Sequence, residues 1–193
     1  MKNVFFSLLL LLDYSNVASS WQPLGSTISS EQPDFASFGS VVDLSEDGRR
    51  VVVGAPASSN GDGAVLLYEL NESATLWNLL ATLPGASGEG MGDYLSLSPD
   101  GLMVAVRRHH VTPNVVQVYQ VSQTSTMFLP VGSDVSSCEA NGDAVTLGQA
   151  TYRPRYGSEY WLLVSCEAYD SGRGMVQAYE LYDGKKTEWQ PYL

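Results

Sequence analysis

Apolar residues in this chain fall in short runs, and none of the runs keeps a helical period. Val51-Val52-Val53-Gly54-Ala55-Pro56, Met103-Val104-Ala105-Val106 and Leu162-Leu163-Val164-Ser165-Cys166 are compact apolar stretches. A second set, residues 64–70, 115–121 and 175–181, is mostly apolar with one tyrosine at a matching place: Tyr68, Tyr119 and Tyr179. Gly, Pro, Asn and Asp bound nearly every run. Short, β-branched or aromatic segments bounded by such residues read as strands. The pattern predicts an all-β chain with almost no helix.

The runs also repeat. Trp21-Gln22-Pro23-Leu24-Gly25 reads against Phe128-Leu129-Pro130-Val131-Gly132, and Trp189-Gln190-Pro191 opens the same way. Trp77 begins a looser copy. After each marker comes a second element: Phe38-Gly39 through Leu44-Ser45, Met91-Gly92 through Leu97-Ser98, and Asn141-Gly142 through Leu147-Gly148. Asp47-Gly48 and Asp100-Gly101 follow in the first two copies, and Asp-Gly is a strong hairpin signal. In the third copy a longer loop, Tyr152 to Gly157, takes that place.

Four short strands in each unit of about fifty residues is the pattern of a β-propeller blade. A β-sandwich also has short strands at regular spacing, but it gives no reason for the units to resemble one another. The expected fold is therefore all-β: a partial, about three-bladed propeller of four-stranded antiparallel blades, as an open arc or a fragment. Residues 20–37 would be a leading strand of the propeller-closing type. Blade 1 would span 38–83, blade 2 84–135 and blade 3 136–193. Propellers close with about four to eight blades. Three leave open edges, which invite a homodimer or additional blades to close the ring.

Phe38-Gly39 followed by Gly54-Ala55-Pro56 resembles the FG-GAP repeat, the blade unit of integrin alpha-chain propellers. The likeness covers Trp21 to Leu193 and is most specific in the first copy. The second copy has Ala105-Val106-Arg107 where Gly-Ala-Pro should stand, and the third has Ser165-Cys166-Glu167. The family's calcium loop follows the pattern D-x-[DN]-x-[DN]-G, because a hard cation needs several converging oxygens. The matching loop here is Ser58-Ser59-Asn60-Gly61-Asp62-Gly63. Asn60 and Asp62 fit the pattern, and Ser58 stands where the leading carboxylate would be. The resemblance thus implies calcium as the one cofactor to consider, while a plain Asn/Gly/Asp turn accounts for the same residues.

Composition changes the picture in a few places. The formal net charge is −11, which disfavours nucleic acid and anionic lipid as partners. Lys2, the apolar run from Val4 to Leu12 and the small residues through Ala18 form a signal-peptide pattern, so residues 1–19 are expected to direct secretion. No later segment is long enough to span a membrane. In an oxidising compartment the two cysteines, Cys138 and Cys166, would pair. Blade geometry puts them on one face, and closing a loop of about 28 residues stabilises by roughly 3–4 kcal/mol. The sequon Asn71-Glu72-Ser73 is an expected glycosylation site in a loop after a strand. Arg107-Arg108-His109-His110 is the one basic cluster and reads as a solvated loop. Trp21, Trp77, Phe128 and Trp189 hold one phase and read as packing between blades. No nucleophile elbow, phosphate loop or dinucleotide fingerprint is present, and no catalytic residue is assigned. The expected role is a secreted, extracellular module that binds protein or glycan without catalysis. The alternatives are a carbohydrate-active enzyme on a propeller scaffold and a propeller remnant with no independent function.

Overall fold

The computed structural model describes residues 21–30, 35–108, 115–121, 126–135, 144–149, 160–166, 169–183 and 187–191. Their strands form three four-stranded antiparallel sheets, none of them closed on itself. Blade 1 contains β1 (Val42–Leu44), β2 (Arg50–Gly54), β3 (Ala64–Leu70) and β4 (Trp77–Pro84). Blade 2 contains β5 (Leu95–Leu97), β6 (Met103–Arg108), β7 (Val115–Val121) and β8 (Phe128–Val135). Blade 3 contains β9 (Ala144–Gln149), β10 (Tyr160–Cys166), β11 (Met175–Asp183) and β12 (Thr187–Pro191). In every blade the strands lie in chain order, each paired with the next. This is the expected partial propeller of antiparallel blades.

Registers place the repeat in equivalent slots. Tyr68 pairs with Val51, Tyr119 with Val104, and Tyr179 with Leu162. Successive side chains of a strand point to opposite faces, so each blade offers one face to the blade before it and one to the blade after. Val52, Val65 and Leu67 pack with Leu97, Val104, Val106 and Phe128 in the core between blades 1 and 2. Ala105, Val116 and Val118 pack with Leu147, Leu162, Val164 and Trp189 in the core between blades 2 and 3. Buried aliphatic side chains contribute about 1.5–3 kcal/mol each, so these two junctions carry most of the fold.

The inner turns of blades 1 and 2 are built alike. Ser45 Oγ donates to Asp47 Oδ1 at 2.7 Å and accepts from Arg50 N at 2.9 Å. Ser98 Oγ donates to Asp100 Oδ1 at 2.6 Å and accepts from Met103 N at 2.8 Å. Only the glycine of each Asp-Gly pair takes positive φ, +69° at Gly48 and +70° at Gly101. The aspartate serves as an acceptor. The Ser45 hydroxyl, and then the Arg49 N–H, hold the Asp47 carboxyl below the ordinary aspartate range.

One glycine of the Gly-Ala-Pro segment has a visible reason. A Cβ on Gly54 would lie 2.0 Å from the carbonyl oxygen of Gly92 in blade 2. No side chain fits there while the two blades stay in contact.

The leading segment differs from expectation. Residues 21–30 contain no strand. They lie against blade 1 rather than completing blade 3. Trp77 Nε1 donates to Leu24 O at 3.0 Å, and Trp77 N to Ser26 Oγ at 3.3 Å. Trp21 is fully exposed. The markers Trp77, Phe128 and Trp189 sit in β4, β8 and β12, each paired with the strand just before it in the chain. Among the described residues no strand precedes Trp21, and its copy of the motif is not paired with one.

Candidate functional site

Ile28, Phe35 and Phe38 pack with Tyr68 and Trp77 on the face of blade 1 turned away from blade 2. The cover is incomplete. It leaves a cleft of about 490 Å³ between the leading segment and the sheet. Phe35, Tyr68 and Trp77 supply aromatic surface to it, and Ser26, Thr27 and Ser29 supply hydroxyls. Tyr68 is braced edge-on by Phe38, with ring centroids 6.3 Å apart. Burial raises the Tyr68 phenol above the ordinary tyrosine value of 10.0, so it stays neutral and able to donate. Aromatic side chains beside hydroxyl-bearing ones suit a ligand that has both apolar C–H surface and polar groups. The cleft has no counterpart in the sequence reading, because its two walls come from segments some forty residues apart.

The calcium-loop residues differ in their surroundings. Ser58 is fully buried, whereas Asn60 is exposed. Asp62 Oδ1 accepts from Gly88 N at 2.8 Å. Backbone bonds from Gly90 to Gly61 and from Met91 to Asp62 tie the loop to the approach of blade 2. Ser59 and Asn60 have φ of 50° and 60°, and Asp170 and Ser171 in blade 3 repeat that left-handed turn at 45° and 60°. The loop is thus docked on the segment that leads into blade 2. Among the described residues no group of three or more His, Cys, Asp or Glu side chains converges.

Other candidates fall as follows. Asn71 sits at the turn between β3 and β4. Its Oδ1 accepts from Thr75 N at 2.9 Å and Leu76 N at 3.1 Å, so the sequon asparagine also organises its own loop. Cys166 is buried at the end of β10; Cys138 lies outside the described residues, as do His109 and His110. Arg107 and Arg108 belong to β6, not to a solvated loop. Arg107 is 7% exposed, pairs with Asp93 at 2.5 Å and stacks 3.7 Å over the Tyr94 ring. Arg108 pairs with the buried Glu89 and, at 3.3 Å, with Asp134. The two arginines thus tie together segments of blade 2. Phe128 and Trp189 are buried between blades, as their phase implied.

One set of residues escaped the sequence reading. Asp43 Oδ2 accepts from Ser96 Oγ at 3.0 Å and from Leu97 N at 2.8 Å. Ser96 Oγ in turn accepts from Leu147 N at 3.1 Å. The innermost strands of all three blades are thereby linked. The signal was present in the sequence as one polar residue between two apolar ones in each copy: Val42-Asp43-Leu44, Leu95-Ser96-Leu97 and Val145-Thr146-Leu147.

No described helix is long and apolar enough to cross a membrane. No family model and no curated protein matches this chain in sequence. Among solved structures, TolB from Acinetobacter baumannii is similar at 14% identity, over 76% of this chain and 31% of that chain, with a TM-score of 0.40. The strand order and register of the three sheets therefore carry the conclusion, and the described residues form a β-propeller-like arc of three blades.

Proposed function

We propose that this chain is a secreted, non-catalytic binding module of the FG-GAP-like propeller type, and that its ligand is an extracellular glycan. The observation that carries the reading is the cleft on blade 1, where Phe35, Tyr68 and Trp77 stand beside the hydroxyls of Ser26 and Thr27. Sugar rings present C–H faces that stack on aromatics and hydroxyls that exchange hydrogen bonds. Secretion is supported by the N-terminal pattern, Lys2 followed by the run from Val4 to Leu12. A Cys138–Cys166 bridge and a glycan on Asn71 belong to the same reading.

The test is a screen of the purified chain against immobilised oligosaccharides, followed by calorimetry on any hit. Thr27→Val and Tyr68→Phe remove hydroxyls at nearly constant shape. Each is expected to weaken binding about fivefold to tenfold, the worth of one hydrogen bond. Binding that neither variant changes would overturn the assignment of the cleft. Chemical breakdown of the bound oligosaccharide would overturn the non-catalytic part and favour a carbohydrate-active enzyme.

A further inference from the structure

The cleft on blade 1 has a chemistry narrower than glycan binding in general. Strands β3 and β4 form one wall of it. Tyr68 and Leu79 are directly paired across these strands, and Leu66 and Trp77 lie two residues before them. Alternate residues of a strand share a face, so all four side chains stand on one side of the sheet. All four line the cleft.

Each offers something different. Leu66 is sealed at 1% exposure, whereas Leu79 is 52% exposed. Trp77 has its indole N–H committed to Leu24 O, so it presents ring surface. Tyr68 is 9% exposed, and its phenol makes no hydrogen bond with another described residue. Such a phenol is a donor open to an acceptor. It stands beside the exposed surface of Leu79, because cross-strand neighbours hold their Cβ atoms about 4.5–5.5 Å apart. On the other wall, Thr27, Ile28 and Ser29 enter no hydrogen bond with another described residue. Their backbone N–H and C=O groups are therefore open to a ligand. No Lys or Arg is among the described lining residues, and a net charge of −11 repels anions.

Resting on the glycan reading above, the geometry points to an uncharged N-acetylated sugar as the ligand of this cleft. An acetamido group carries a carbonyl oxygen and a methyl group on one carbon. The oxygen accepts from the Tyr68 phenol while the methyl packs on Leu79. The acetamido N–H donates to a backbone carbonyl of residues 27–29, and the sugar ring lies on Trp77. A sugar with hydroxyls alone satisfies the phenol but sets polar groups against Leu79. A sulfated or carboxylated sugar meets no cation among the described lining residues.

Calorimetry of the purified chain with N-acetylchitotetraose, cellotetraose and a heparin tetrasaccharide tests this. The first two share one backbone and differ on each ring in an acetamido group against a hydroxyl. N-acetylchitotetraose is expected to bind about tenfold or more tighter than cellotetraose, the worth of one hydrogen bond and one buried methyl. The heparin fragment should not bind. Tyr68→Phe and Leu79→Ser should each cut the preference for the acetylated sugar by about threefold to fivefold. Circular dichroism checks that both variants fold as the parent does; should Leu79→Ser lose that signal, Leu79→Thr replaces it. Cellotetraose binding as tightly as N-acetylchitotetraose, or the heparin fragment binding tightest, overturns the inference and leaves the glycan reading standing. A preference that survives both substitutions overturns the placement of the acetamido group at Tyr68 and Leu79. Failure of all three sugars also overturns the inference, and the wider oligosaccharide screen then decides the glycan reading separately.

Discussion

The two faces of blade 1 come from one sheet and meet different neighbours. The face toward blade 2 is sealed: Val52, Val65 and Leu67 are fully buried, and Asp43 is bonded across the junction to Ser96 and Leu97. The other face meets the irregular segment 21–30, which covers Tyr68 and Trp77 and leaves Val42 and Leu44 in solvent. Strand pairing is equally regular on both sides, because it lies within the sheet. The difference lies in side-chain burial, and burial needs a second layer. A blade is a stable unit only in company, as expected of repeat architectures.

Leu97 and Leu44 hold the same slot in blades 2 and 1, which makes them the sharpest pair to break. Leu97→Ala is expected to cost about 2–5 kcal/mol, the range for a buried leucine with a residual cavity. Urea unfolding at low protein concentration measures it. Asp43→Ala should cost less, about 1–3 kcal/mol, since it leaves the Ser96 hydroxyl and the Leu97 N–H without their shared acceptor. Loss of amide-exchange protection at Leu97 N–H would localise the effect. Leu44→Ala should change the stability of the dilute chain by no more than about 0.5 kcal/mol, as for other surface substitutions. A large loss there would mean that the first end face is covered in solution, against the comparison drawn above.

The repeat was legible wherever it is written in local chemistry. Tyr68, Tyr119 and Tyr179 occupy one slot because strand alternation preserves the count from each turn. The Ser45 and Ser98 turns fold alike because the hydroxyl, the aspartate and the glycine act over a few residues. Trp21 shows the limit. Its motif matches Phe128, yet it lies exposed in an irregular segment, because a strand needs a partner strand and that partner is not encoded in the motif itself. The Arg107–Arg108 pair was misread for a related reason. Two adjacent basic residues look solvated until the fold brings Asp93, Glu89 and Asp134 to them.

By itself, then, the sequence determined the strands of the three blades, their order within each blade and the identity of the slots, all of which follow from alternation and short-range turn chemistry. Only the tertiary structure decided which slots are filled. It turned the leading segment onto blade 1, opened the cleft beside Tyr68 and Trp77, joined Asp43 to Ser96 and Ser96 to Leu147, and left Leu44 and Thr146 at the two ends. These outcomes depend on which surface meets which, and a repeated motif specifies the surface without specifying its neighbour.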